Sequence, residues 1–77
     1  ERLEIFIDGL AYLTHTERVI YEAYLARATT KEIMTSLNIS KNTLKFHNKN
    51  LYSKLGVSSR TELMEIYKQL TNMKDYI

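Results

Sequence analysis

The sequence predicts an all-α domain of four helices. Three observations carry this. Apolar residues recur at helical spacing in four stretches. Three of those stretches open on a Ser/Thr-x-x-Glu signature, the capping box that starts a helix. No stretch alternates with the period of two that a half-buried strand shows. Proline is absent and glycine occurs only at Gly9 and Gly56, so long uninterrupted helices are permitted. Seventy-seven residues support one small domain with a thin core.

Residues 1–12 read as a linker or the end of a preceding segment. Leu3, Phe6, Ile7 and Leu10 are spaced like a turn or two of amphipathic helix, but Gly9 interrupts them. The predicted domain spans 13–73. Its first helix covers roughly 15–26: Thr14 caps it, Glu17 closes the box, and Leu13 precedes the cap as a staple. Ile20, Ala23 and Tyr24 form its apolar stripe. A second helix opens at Thr29 with Glu32 as box partner; it buries Ile33, Met34 and Leu37 and stops at Asn38, which tolerates the left-handed conformation. Two helices joined to a third by so short a turn cross steeply, which is the helix-turn-helix arrangement.

The third helix runs from Lys41 to Leu55, capped by Ser40 and ended by Gly56. At 3.6 residues per turn, Leu44, Leu51 and Leu55 fall within about 40° of one another, flanked by His47 and Asn48. Asn42, Phe46, Lys49 and Ser53 face the other way, with Lys45 at the edge. The fourth helix opens on the Ser59–Glu62 box and buries Leu63, Ile66, Tyr67 and Leu70. Residues 74–77 are expected as a frayed end.

Charge is unevenly placed. Residues 1–26 carry Arg2 and Arg18 against Glu1, Glu4, Asp8, Glu17 and Glu22, a net of −3. Residues 41–58 carry Lys41, Lys45, Lys49 and Lys54 and no acid. A basic element beside an acidic one is an electrostatic footprint for nucleic acid; a solvated helix face is the bland alternative. Enzyme chemistry has little to stand on. There is no cysteine, and only His15 and His47 among histidines. No glycine-rich phosphate loop, nucleophile–base constellation or metal cluster is present, so no cofactor or metal is expected. Nothing approaches a transmembrane length, and Asp8 with its neighbouring charges rules out a signal peptide. A cytoplasmic protein without membrane contact is expected. The chain begins at Glu1 rather than Met, as a piece of a longer protein would.

The order of residues resembles the DNA-binding domain of LuxR/FixJ/GerE-type transcription regulators. The resemblance rests on Leu13, Thr14 and Glu17; on Lys31-Glu32-Ile33; on Leu37-Asn38-Ile39-Ser40; on Thr43-Leu44-Lys45-Phe46-His47; and on Lys54-Leu55-Gly56-Val57-Ser58-Ser59-Arg60. It covers about residues 13–70. Departures occur at Arg27, where the family usually has a glycine, at His15, Thr16 and Thr30, and at the large Phe46. A non-glycine residue in a left-handed position costs roughly 1 kcal/mol, so the turn at Arg27 is expected to be rebuilt.

The resemblance implies sequence-specific binding of double-stranded DNA as the output domain of a transcription regulator. The helix over 41–55 would enter the major groove while the helix before it braces the backbone. Lys45, Phe46 and Lys49 would hold the base-reading positions. Lysine can donate to guanine O6 and N7, Phe46 can rest on a thymine methyl, and Asn42 can pair with an adenine edge. Phosphate contacts are expected from the helix starts, at Thr29, Thr30, Lys31, Ser40, Lys41 and Thr43, and from Lys54 and Arg60. The resemblance also implies a homodimer through the last helix, with Met64, Tyr67, Thr71 and Met73 as interface candidates, and a regulatory domain upstream.

Two alternatives stay open. One is a protein-interaction module that kept the fold but lost DNA binding; the presence of Lys45 and Lys49 argues against it. The other is a sigma-region-four-like promoter-binding module; the stretch from Gly56 to Leu70 argues against that, because such modules end soon after the recognition helix. The capping glutamates Glu17 and Glu32 read as structural, and Tyr21, Tyr24 and Tyr67 as core. Tyr52 divides between packing and backbone contact.

Overall fold

The structure, a computed structural model, describes residues 1–75, with side chains described as far as Asn72. Five helices follow one another: α1 (Arg2–Leu10), α2 (His15–Leu25), α3 (Thr30–Leu37), α4 (Lys41–Leu55) and α5 (Arg60–Asp75). Helices α2–α5 are the four that the sequence predicts. The capping signals place their starts: Thr14 and Thr29 each accept the amide of the glutamate three residues on, and each glutamate accepts the cap's own amide. Ser40 accepts the Thr43 amide. The box at α5 differs from the expected one: Ser59 accepts the Glu62 amide, but Glu62 reaches past it to the Ser58 amide at 2.6 Å.

Helices α2, α3 and α4 end in the same way. A left-handed residue follows the last turn, and the amide after it reaches back five residues: Ala28 to Ala23, Ile39 to Met34 and Val57 to Tyr52. The left-handed residues are Arg27 (φ +63°), Asn38 (φ +54°) and Gly56 (φ +69°). The turn at Arg27 is therefore not rebuilt. It keeps the conformation that suits glycine and places an arginine in it.

Residues 2–10 form a helix seated on the domain, at the spacing that Leu3, Phe6, Ile7 and Leu10 suggest. Phe6 is fully buried, and Leu3 and Leu10 pack beside it. Gly9 does not break α1; it lets the helix approach the end of α4. A Cβ at Gly9 would stand 2.0 Å from the Lys54 carbonyl oxygen. Cations from other helices then satisfy the carbonyls left at the end of α1. Arg18 donates to the Leu10 carbonyl at 2.6 Å and Lys54 to the Tyr12 carbonyl at 3.0 Å. At the far end of the chain, α5 continues to Asp75, so residues 74 and 75 are helical rather than frayed; residues 76–77 lie outside the described residues.

One core joins all five helices. Phe6, Ile20, Tyr21, Tyr24, Ile33, Leu44, Leu51, Leu55, Val57, Leu63 and Ile66 are buried. Each large aliphatic or aromatic side chain so buried contributes about 1.5–3 kcal/mol. Burial, and next the neighbouring Tyr67, pushes the Tyr21 phenol up to about 12. Tyr21 and Tyr24 are core residues as expected, whereas Tyr67 is only half-buried.

Candidate nucleic-acid interface

Helix α4 is set into the domain by Leu44, Leu51 and Leu55, which are at most 2 % exposed. That seam turns the opposite face to water. Lys41, Asn42, Thr43, Lys45, Phe46, Lys49 and Ser53 are all exposed. Phe46 is 61 % exposed, a large apolar side chain held outward among lysines. Its ring meets the His47 ring edge-on, with centroids 5.6 Å apart. His47 itself is half-buried beside the seam.

The start of α3 lies on the surface as well. Thr29, Thr30 and Lys31 are exposed, and the Thr29 hydroxyl accepts the Glu32 amide at 3.1 Å. Ser40 and Thr43 share a hydroxyl–hydroxyl hydrogen bond of 3.0 Å at the start of α4. Lys41 and Lys31 stand at these two starts with no ion pair among the described residues.

Two expected phosphate contacts are engaged elsewhere. Lys54 lies under α1 and pairs with Glu17 at 2.6 Å. The Glu17 side chain is 4 % exposed and the Lys54 side chain 32 %. Burial on its own pushes the Glu17 carboxyl up; Lys54 and the Thr14 amide outweigh it and hold the group below its usual value. A near-buried carboxylate is costly unless paired, so Glu17 holds Lys54. Arg60 is occupied too. It donates to the Ala28 carbonyl at 2.6 Å, and its guanidinium lies 4.4 Å from the centroid of the Tyr24 ring. That joins the start of α5 to the turn before α3 and stacks a cation on an aromatic face.

The expected interface residues of α5 are mixed. Met64 is half-buried against the core, and Tyr67 is half-buried. Thr71 is exposed and returns its hydroxyl to the Tyr67 carbonyl at 3.0 Å. The Met73 side chain lies outside the described residues. Met64 and Tyr67 line an open cleft of about 490 Å³ with Leu25, Arg27 and Lys68. Sequence reasoning missed a polar pair. The Tyr24 hydroxyl donates to Asn48 Oδ1, joining α2 to α4. The available signal was an asparagine inside the apolar seam, four residues after Leu44. Tyr52 packs half-buried against the core beside them.

Among the described residues no cluster of histidine and carboxylate side chains could hold a metal, and no helix is long and apolar enough to cross a membrane. The arrangement presents a cationic helix face with a short polar run and one apolar ring, beside a capped helix start.

Comparison with known proteins agrees with this geometry. Residues 11–67 match the family described as bacterial regulatory proteins, luxR family. The probable transcriptional regulatory protein SgaR of Hyphomicrobium methylovorum is 42 % identical over 60 residues, covering 78 % of this chain and 28 % of that protein. The CsgBAC operon transcriptional regulatory protein of Escherichia coli K12 is 44 % identical over 52 residues, covering 68 % of this chain and 24 % of that protein. The HTH-type transcriptional regulator MalT of Yersinia pestis is 33 % identical, covering 96 % of this chain and 10 % of that protein. The chain thus spans about a quarter of the length of the first two relatives and less of the third. No solved structure matches it. With a family match over most of its length, a helix-turn-helix at the matched residues and regulators as relatives, the chain belongs to the luxR family of bacterial regulatory proteins.

Proposed function

We propose that this chain binds double-stranded DNA in a sequence-specific way, as the output domain of a transcription regulator acting in the cytoplasm. The observation that carries the reading is the solvent face of α4, where Lys41, Lys45 and Lys49 are exposed with no acidic residue from Ser40 to Arg60. A major groove about 12 Å wide admits one such helix. Lys45 and Lys49 stand one turn apart and donate to guanine edges. Asn42 pairs with an adenine and Phe46 covers a thymine methyl. Thr29, Thr30, Lys31, Ser40, Lys41 and Thr43 fix the backbone through hydroxyls, amides and two ammonium groups. Lys54 and Arg60 are removed from that set, because each is spent inside the domain.

Few phosphate contacts make a single copy a weak binder, so two copies joined through α5 at Met64, Tyr67 and Thr71 supply useful affinity, and the signal arrives from an upstream domain. Each phosphate neutralised adds about 0.9 to the slope of log affinity against log salt. Titration of a labelled duplex between about 50 and 200 mM salt tests the reading. A steep decline is expected, and a flat response overturns it.

A further inference from the structure

The seam by which α4 rests on the domain is polar at two places: the Lys54–Glu17 pair at its last turn, and Asn48 in the middle of the helix, beside the turns that carry Lys45 and Lys49. Asn48 lies about 40° round the helix from Leu44 and about 20° from Leu55, inside the strip that faces α2. Its Oδ1 accepts the hydroxyl of Tyr24, a residue only 3 % exposed. Tyr24 is held from outside as well. The Arg60 guanidinium covers its ring at 4.4 Å and is itself tied to the Ala28 carbonyl at 2.6 Å, one residue before the cap of α3. Tyr52 completes the group; burial first, and then the adjoining Tyr24 hydroxyl, pushes its phenol well above the ordinary tyrosine range. The cluster thus draws on α2, the turn before α3, α4 and the start of α5.

We propose that the Tyr24–Asn48 hydrogen bond, backed by Arg60, is a positioning device that fixes the roll of α4 about its own axis and so the register of its outward side chains on DNA. This rests on the DNA-binding reading above. Stability alone does not call for a polar pair here, since well-packed apolar side chains of similar volume would serve as well or better. What the hydrogen bond adds is direction. Leucine contacts survive a small rotation of one helix against another, whereas a hydroxyl–amide bond weakens steeply as its angle closes. A helix with its side chains is about 10–12 Å across, so a roll of about 20° carries a side-chain tip through about 2 Å. That is enough to lose a hydrogen bond to a base edge. Lys45 and Lys49 flank Asn48 at three residues before and one after, so any roll at Asn48 is delivered to them directly. Phosphate contacts made by flexible lysines and helix starts tolerate the same displacement.

The device therefore sets preference rather than adhesion, and the two can be separated. A duplex is first selected from random sequence against the wild-type chain, and its affinity is compared with that for an unselected duplex across a salt series. In Tyr24→Phe/Asn48→Leu an apolar pair replaces the polar one, and the half-buried Tyr52 hydroxyl, which adjoins Tyr24, is left to water. Its thermal midpoint is expected to stay within a few degrees of wild type, with unchanged affinity for the unselected duplex and an unchanged salt slope. Its preference for the selected duplex is expected to fall about tenfold, the scale of one lost base contact. Tyr24→Phe alone keeps the ring beneath Arg60 and is expected to lose preference in the same direction, which keeps the test decisive should the double variant fold poorly. Wild-type preference retained in a folded variant overturns the positioning role and leaves the DNA-binding reading intact. A wild-type chain that binds no duplex overturns both.

Discussion

The early turns of α4 and its last turn carry the same kind of residue to different ends. Lys41, Lys45 and Lys49 stand in water with no acidic partner among the described residues, while Lys54, five residues beyond Lys49, is drawn under α1 onto Glu17 and the Tyr12 carbonyl. The side chains are chemically identical; what differs is the surface opposite them. The early turns face away from the domain, and the last turn lies where α1 crosses at Gly9. A lysine is available to a ligand only where no buried carboxylate claims it first. The basic run is thus two regions, one open to solvent and one engaged in the fold.

Lys54→Ala breaks this contrast most severely. It strands Glu17 without its cation and frees the Tyr12 carbonyl. Removing one partner of a buried pair costs about 3–5 kcal/mol, and water reaching Lys54 favours the lower figure. Against a total of about 5–15 kcal/mol, calorimetry should show a midpoint lowered by about 10–20 °C. Lys49→Ala, by contrast, should leave stability within about 0.5 kcal/mol and change base preference. Equal midpoints for the two variants would erase the distinction between the regions.

Acid breaks the same pair reversibly. The folded-state value of Glu17 lies below its ordinary one. Its contribution is therefore fully present above the ordinary carboxylate range and lost as pH falls through the depressed folded value. Thermal midpoints followed from neutrality to about pH 2 should fall more steeply for wild type than for Lys54→Ala, which has no pair to lose. Parallel acid limbs would show that Glu17 is not held charged by Lys54.

How far the sequence disclosed this can be judged from particular residues. The starts of α2 and α3, and the end of α3 at Asn38, are each written within a few neighbouring positions, so they can be read locally, whereas the left-handed end at Arg27 could not be, because arginine does not announce that conformation. The outward face of α4 follows from the spacing of three leucines. Glu17 and Lys54 are 37 residues apart, Ala28 and Arg60 are 32, and Tyr24 and Asn48 are 24. No local rule joins such pairs. Helix α1 was legible only in part, for a different reason. Gly9 carries two meanings, helix breaker and close contact, and only the carbonyl of Lys54 beside it decides between them.

That decision can be tested with Gly9→Ala, the next largest effect. Helix propensity alone favours alanine by about 0.8–1 kcal/mol. The added methyl, however, would stand 2.0 Å from a backbone oxygen that has no rotamer to escape into. Overpacking of this kind costs about 1–3 kcal/mol, so a net loss is expected, with Phe6 exposed and α1 cut early by protease. A gain in stability would mean that propensity wins and that α1 does not bear on α4.

The smallest expected effect concerns the repeated helix ending. Arg27, Asn38 and Gly56 fill one left-handed position in three equivalent motifs. Glycine fits it without strain and asparagine tolerates it, but arginine places a Cβ against the carbonyl that follows. Arg27→Gly should therefore stabilise the chain. The release of about 1 kcal/mol is partly offset by the extra freedom of glycine in the unfolded chain, leaving about 0.5 kcal/mol. Asn38→Gly should change less. DNA affinity should not move in either, since the backbone that presents Thr29 and Lys31 keeps its geometry. A loss of stability in Arg27→Gly would mean that the arginine side chain, which lines the cleft beside α5 with Met64 and Tyr67, holds more than its backbone strain costs.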